Sequence, residues 1–329
     1  MSNFNLATCR YLVWGYRNVY HTHSHIHEGF YRALKFLGKT VDWLDQADDF
    51  SDENFENTLV ITNHDCVTTS YWPWKNKIKS KLPIRPDCFY VVHGLNDHSN
   101  IREMFNNNSL SWNVYNDYSH ILESKHGLPL TDRLDLDQDT PFYPKQKHLE
   151  FRWATDILPH EIEKNKPDCL LSLKNPIINW VGTIWHVNQK EISQFIEACK
   201  QDNIEFKHIG AGQKGVISID ENIKLIRESY MAPAISGSHH LTEGYAPCRI
   251  FKNISYGQFG ITNSSRVNEI FNNRLIYNPN PYDLYFEAKE RLQSVSLKEL
   301  HELMDEVSNK HTYLNKISSI MEAIKIILQ

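Results

Sequence analysis

The sequence predicts an α/β protein of two doubly wound domains, on three observations. The chain has 329 residues, more than one hydrophobic core usually serves. Short apolar runs alternate with segments of helical periodicity through the first half, and the same rhythm restarts at Ile178. Residues 232–263, APAISGSHHLTEGYAPCRIFKNISYGQFGITN, read as strand, loop, helix, strand, the repeating unit of a parallel sheet.

In order, residues 11–15 (YLVWG) form a first buried strand, followed by a polar loop, RNVYHTHSHIHEG. In FYRALKFLG, Phe30, Leu34 and Leu37 mark a helical face and Gly38 supplies a C-cap. Strands are predicted at 40–44, 58–62 and 89–92, the last running into His93-Gly94. SWNVYND and residues 147–153 have strand character. Between them DRLDLDQDTPFYPKQ is acidic and contains Pro, so it reads as an exposed loop, without the Gly and closing Glu of a calcium loop. Pro159 and Pro167 mark the interdomain connection, giving domains at 1–160 and 168–310.

The second half opens with a strand at 178–184 carrying Gly182. Asn188 and Glu191 resemble a capping pair for a helix whose buried face is Ile192, Phe195, Ile196 and Cys199. Strands at 204–210 and 216–219, a helix at 220–230, a helix at 266–271 and a strand at 275–277 follow. The last helix, in 311–329, aligns Leu314, Ile317, Met321, Ile324 and Leu328 in a stripe that demands burial.

Composition narrows the function classes. Hydrophobic residues make up 41% and charged residues 23%, ordinary for a soluble globular protein. Lys plus Arg is 35 against 40 for Asp plus Glu, a net charge of -5, so no global field draws the protein to nucleic acid or an anionic membrane. The six cysteines form no C-x-x-C pair and read as buried thiols in a reducing compartment. The opening residues lack the basic region, long apolar run and cleavage site of a signal peptide. No apolar run reaches bilayer length, and the expected location is the cytoplasm, with no transmembrane segment.

Candidate chemistry collects at strand ends, where open α/β sheets bind ligands. Arg249 and Lys252, three apart in the helix of the 232–263 unit, would set two cations beside the N–H groups and dipole of the helix start. That combination suits a diphosphate; a solvated pair on an ordinary crossover helix is the alternative. The first loop holds His21, His23, His25 and His27, with no Cys or carboxylate set at zinc spacing, so no metal is expected. A histidine there suits a general base. Asn63-His64-Asp65 and His93 follow two further strands. Asp65 is a candidate carboxylate base, His64 and His93 candidate substrate contacts, and helix caps or turn residues the plainer alternative.

Glu243-Gly244-Tyr245-Ala246-Pro247, then the helix, then Gly257-Gln258-Phe259-Gly260-Ile261-Thr262-Asn263 resembles the donor-binding signature of the GT-B glycosyltransferases, in particular the family 1/4 group. In its common form a second glutamate stands eight positions after the first. Here that position is Phe251, and with spacing one residue longer Lys252 takes the place. The resemblance implies two Rossmann-like domains facing a cleft, an acceptor domain at 1–160, a nucleotide-sugar domain at 168–310, and a closing helix in 311–329 that packs back on the first domain. It implies metal-independent transfer of a hexosyl or deoxyhexosyl group from a UDP- or GDP-sugar co-substrate to a glycan or glycoconjugate hydroxyl, with no tightly bound cofactor. The donor contacts it implies are Gly182, Thr183, Lys190, Ile217, His240, Glu243, Gly244, Tyr245, Ala246, Arg249 and Lys252, with base recognition near 214–217. It also places a catalytic base after the first strand, His25 before His23, as the two nearest the helix entry. A sugar-nucleotide 2-epimerase of the same fold and a non-catalytic nucleotide-sugar or glycan-binding module are the competing readings. A homo-oligomer interface would bury the last helical stripe equally well.

Overall fold

The computed structural model describes residues 4–17, 21–49, 54–67, 80–105, 108–114, 122–123, 127–136, 140–169, 175–184, 186–210 and 217–329. The chain divides into two α/β units, Met1–Phe151 with Tyr313–Gln329, and Arg152–Thr312. The closing helix therefore belongs to the first unit.

The first unit holds an eight-stranded sheet. Its strands are β1 (Arg10–Trp14), β2 (Val41–Leu44), β3 (Thr58–Asn63), β4 (Phe89–His93), β5 (Ser109–Asn113), β6 (Leu134–Leu136), β7 (Thr140–Tyr143) and β8 (His148–Glu150). They lie in the order β2-β1-β3-β4-β5-β8-β7-β6. From β2 to β8 every pairing is parallel, and β3 and β5 are buried along their whole length, as a sheet covered on both faces requires. Leu12, Trp14, Val60, Tyr90 and Val92 enter one core with Ile101 and Phe105. On the helix side, Phe30 sets its ring against Trp112 at 6.0 Å and Tyr313 at 4.8 Å. Because β1 lies between β2 and β3, the connections leave it in opposite directions, and the switch point falls between the carboxyl ends of β1 and β3.

In the second unit β9 (Ile177–Val181) pairs in parallel with β10 (Glu205–Ile209). A parallel trio follows, β11 (Pro233–Ala234), β12 (Ile261–Thr262) and β13 (Ile276–Tyr277). The chain just before β11 joins the two sheets: Tyr230 N donates to Ile177 O and Asn179 N to Ser229 Oγ, each at 2.7 Å. The switch point of this unit therefore lies between β9 and β11. Asn263 ties the end of β12 to that of β11, its side chain accepting from Ser236 N and donating to Ser236 O, both at 2.8 Å.

Several local expectations are corrected. The histidine segment is helix, not loop: the first helix spans Thr22–Phe36, and the His21 side chain caps it by accepting from His23 N. His23, Ile26, His27 and Phe30 already follow helical spacing. The acidic segment before residue 143 contains β6 and β7, paired antiparallel. Residues 217–218 are not strand, because the Ser218 hydroxyl caps a helix over Ile219–Arg227; Val216 lies outside the described residues. Glu191 does not close a box with Asn188; its carboxylate accepts from Ser238 N at 3.1 Å. In the last helix, Tyr313–Leu328, the buried stripe runs through Tyr313, Ile317, Ile320 and Ile324, while Leu328 is exposed.

The buried face of that helix meets Gly29, where an added Cβ would overlap the Tyr313 ring. Gly to Ala inside a helix ordinarily stabilises by about 1 kcal/mol. Here overpacking should win, so Gly29→Ala is expected to destabilise by about 1–3 kcal/mol. Urea-unfolding midpoints check this, with the penalty disappearing in a Tyr313→Ala background.

Candidate functional site

Each unit presents polar side chains at its switch point. In the first, β1 runs into Gly15 and Tyr16, β3 ends in Asn63, and β4 ends in His93. Gly15 adopts φ +95° and faces Cys66 so closely that a Cβ would collide with the sulfur. Its carbonyl accepts from His27 Nδ1 at 2.8 Å and Trp43 Nε1 at 2.9 Å, which puts the His27 proton on Nδ1. One turn earlier, His23 Nε2 lies 3.1 Å from His93 Nδ1 and 2.9 Å from Asn63 Nδ2, and Asn63 Nδ2 is 3.1 Å from His93 Nδ1. Asn63 Oδ1 is occupied by Asp65 N at 2.8 Å. Its Nδ2 therefore points at the two imidazoles as a donor, and at least one of them offers it a lone pair.

The cluster extends on both sides. His21 Nδ1 is 3.1 Å from His23 Nδ1, and Tyr16 stacks on both rings. His64 Nδ1 donates to His93 O at 3.1 Å, stacks on His98 at 4.1 Å, and turns Nε2 to Asp65 Oδ1 at 3.3 Å. Burial holds His23 well below the usual imidazole range, reinforced by His93, His21, His27 and His64. Burial likewise takes His27 to about 4 and His93 to about 3, and lowers His21. These four rings are neutral at pH 7. Of the predicted residues, His23, His64, Asp65 and His93 come together here. His25, half-buried, stands about 200° round the helix from His23.

In the second unit Arg249 comes from the helix Cys248–Ser255, which starts after Pro247. Its guanidinium lies 3.7 Å above the Trp180 ring and donates from Nη1 to Val181 O. Gly182 follows with φ +121°, and a Cβ there would stand 2.7 Å from Arg249 Nη2. The Gly182 carbonyl is turned inward and accepts from His208 Nε2 at 2.8 Å. No carboxylate pairs with Arg249 among the described residues. Burial lowers it to about 10, still charged at pH 7.

Lys252 has a different environment. Its Nζ meets Asp156 Oδ2 at 2.6 Å, with only 13% and 3% of the two side chains exposed. Burial would lower the ammonium, but Asp156 outweighs it and the net direction is up. Asp156 is itself held by the Tyr256 hydroxyl at 2.5 Å. The charge of Lys252 is thus already compensated.

The signature turn is ordered around Tyr245. His240 stacks on its ring at 4.5 Å, and its hydroxyl accepts from Trp153 Nε1 at 2.8 Å. Gly244 takes φ +64° between Glu243, which ends the short Ser238–Thr242 helix, and Tyr245. Ala246 is buried. Thr183 is half-buried just past Gly182, Lys190 is exposed in the first turn of the Gln189–Gln201 helix, and Ile217 precedes Ser218. Among the described residues these three share no hydrogen bond, ion pair or ring contact with Arg249; Lys214 lies outside them. Asn63 and His21 stand in segments the sequence singled out, at a strand end and in the histidine-rich stretch, but without a role of their own; Trp180 and Asp156 carried no signal.

Among the described residues no group of His, Cys, Asp and Glu is arranged to hold a metal ion, and no helix is long and apolar enough to cross a membrane. The depressed histidines fix a pH response. Between pH 6.5, near which an unfolded imidazole titrates, and the folded values of about 4 for His27 and about 3 for His93, the unfolded chain binds more protons. Their contribution is complete above pH 6.5 and is lost as pH falls through that window. Unfolding free energy is expected to drop from pH 7 to pH 5, and His27→Gln and His93→Gln each to flatten the drop in urea titrations.

Comparison with known proteins gives likenesses in structure and none in sequence. No protein-family model matches the chain, and no curated protein matches it. A solved structure of trehalose-6-phosphate synthase, described for enzymatic glycosyl transfer with retention, superposes with a TM-score of 0.48 at 11% identity, covering 96% of this chain and 99% of that one. The fold itself is two α/β units with largely parallel sheets and a last helix returned to the first unit.

Proposed function

We propose that the protein is a glycosyltransferase that takes a sugar from a nucleotide-diphosphate sugar and passes it to an acceptor hydroxyl. The observation that carries this reading is Arg249: a guanidinium without a counter-charge among the described residues, at the carboxyl edge of β9, beside a helix start. Such a group calls for an anion. The second unit would take the UDP- or GDP-sugar, with the Tyr245 turn and the Gly182–Thr183 segment around it. The first unit would take the glycan or glycoconjugate acceptor.

In the inverting form of this reaction, a base removes the proton of the acceptor hydroxyl as its oxygen bonds to the anomeric carbon. The bond from that carbon to the diphosphate oxygen breaks, and the diphosphate leaves with the electron pair. His23 is the base in this reading, because its imidazole is neutral and its Nε2 faces the switch point with His93 and Asn63. Arg249 stabilises the charge that develops on the diphosphate. Lys252, held by Asp156, supports the helix start rather than adding a second free cation.

Arg249 and Lys252 should therefore part company. Arg249→Ala is expected to weaken UDP or GDP binding by about 1.5–3 kcal/mol, the worth of a charge-assisted hydrogen bond. Lys252→Ala is expected chiefly to lower stability, by about 3–5 kcal/mol, because it strands a buried carboxylate. Calorimetric titration and urea unfolding read the two effects, after a thermal-shift screen of UDP, GDP, TDP and CMP selects the nucleotide. Nucleotide affinity unchanged in Arg249→Ala would remove the donor site.

His23→Ala should reduce turnover by about 100-fold or more and leave nucleotide affinity as it is. Full turnover in that variant would exclude His23 as the base.

A further inference from the structure

Arg249 is held by three consecutive residues of one strand end. Trp180 lies under the guanidinium plane at 3.7 Å, Val181 O accepts from Nη1, and Gly182 leaves the space that Nη2 fills. We propose that Trp180 and Gly182 form a seat for this guanidinium, positioning residues that aim its remaining N–H groups at an oxyanion of the nucleotide. The inference rests on the donor-site reading above.

Several features support the seat. An unrestrained arginine side chain carries about 2 kcal/mol of rotamer entropy, which an anion would have to remove on binding. An indole face is the strongest aromatic platform for a cation, and here its centroid stands 3.7 Å from the guanidinium carbon. Trp180 is only 2% exposed, so it offers no surface on which a base or sugar could stack, and its effect must pass through Arg249. Gly182 is constrained twice: its φ of +121° disfavours any side chain, and a Cβ would stand 2.7 Å from Nη2. Of the five N–H groups of a guanidinium, one donates to Val181 O. The other four have no acceptor among the described residues.

The test is calorimetric titration of UDP and GDP into Trp180→Phe, Trp180→Leu, Gly182→Ala and Arg249→Ala, with methylguanidinium as a chemical probe of the seat. Trp180→Phe keeps an aromatic face and should bind within about threefold of the parent; Trp180→Leu and Gly182→Ala should bind roughly tenfold more weakly. Methylguanidinium should restore affinity to Arg249→Ala by occupying the vacated seat, whereas methylammonium should not. It should fail in the Arg249→Ala, Trp180→Leu double variant. Loss of affinity in Arg249→Ala with parental affinity in both Trp180→Leu and Gly182→Ala would overturn the seat alone, as would a lack of rescue in Arg249→Ala, which needs no change to the buried tryptophan. Parental affinity in Arg249→Ala, or a parent that binds neither nucleotide, would remove the donor-site reading and this inference with it.

Discussion

A largely desolvated guanidinium with no carboxylate beside it among the described residues is costly, and the second unit is built to tolerate one. The side chain of Arg249 leaves the first turn of its helix, crosses to β9, lies on Trp180 and donates to the carbonyl that ends the strand. Every neighbouring choice is consistent with that placement. Gly182 stays small, His208 draws the Gly182 carbonyl away from the site, and Asp156 is committed to Lys252 and Tyr256. Two adjacent cations are thereby set apart: Lys252 is paired with a carboxylate, and Arg249 has no carboxylate partner among the described residues.

The first unit solves the opposite problem, collecting bases without collecting charge. His21, His23 and His27 of the first helix and its cap, His64 and His93 from two strand ends, and His98 just beyond are linked by hydrogen-bond or ring contacts. If several were protonated they would repel, and burial prevents it at His21, His23, His27 and His93. The amide of Asn63 is what makes the arrangement specific. Its oxygen is taken by the backbone of Asp65, so its nitrogen faces two imidazoles as a donor. A lone pair at that point is the requirement for taking a proton.

How far the sequence revealed this depended on distance along the chain. The place of Arg249, in the first turn of a helix at a carboxyl edge, was legible because helical spacing and the carboxyl-edge rule are local. Lys252 looked equivalent to it, since the residue that claims its charge, Asp156, is remote in sequence and carries no motif. Trp180 reads as one more core residue of a buried strand, and it is one; its second role exists only because a distant arginine lies on its face. The choice between His25 and His23 turned on where the first helix begins. With the helix started at Phe30 the four histidines alternate along an extended loop. With it started at Thr22, His23 and His27 share a face and His25 does not.

The closing helix has a consequence for biogenesis. Residues Tyr313–Gln329 complete the first unit, and Gly29 and Phe30 wait for Tyr313 to cover them. During synthesis the amino-terminal sheet leaves the ribosome with one helix missing, and the whole of Arg152–Thr312 is translated before the gap can be closed. Until then, the apolar surface at Gly29 and Phe30 that Tyr313 will cover is open on the nascent chain to chaperones.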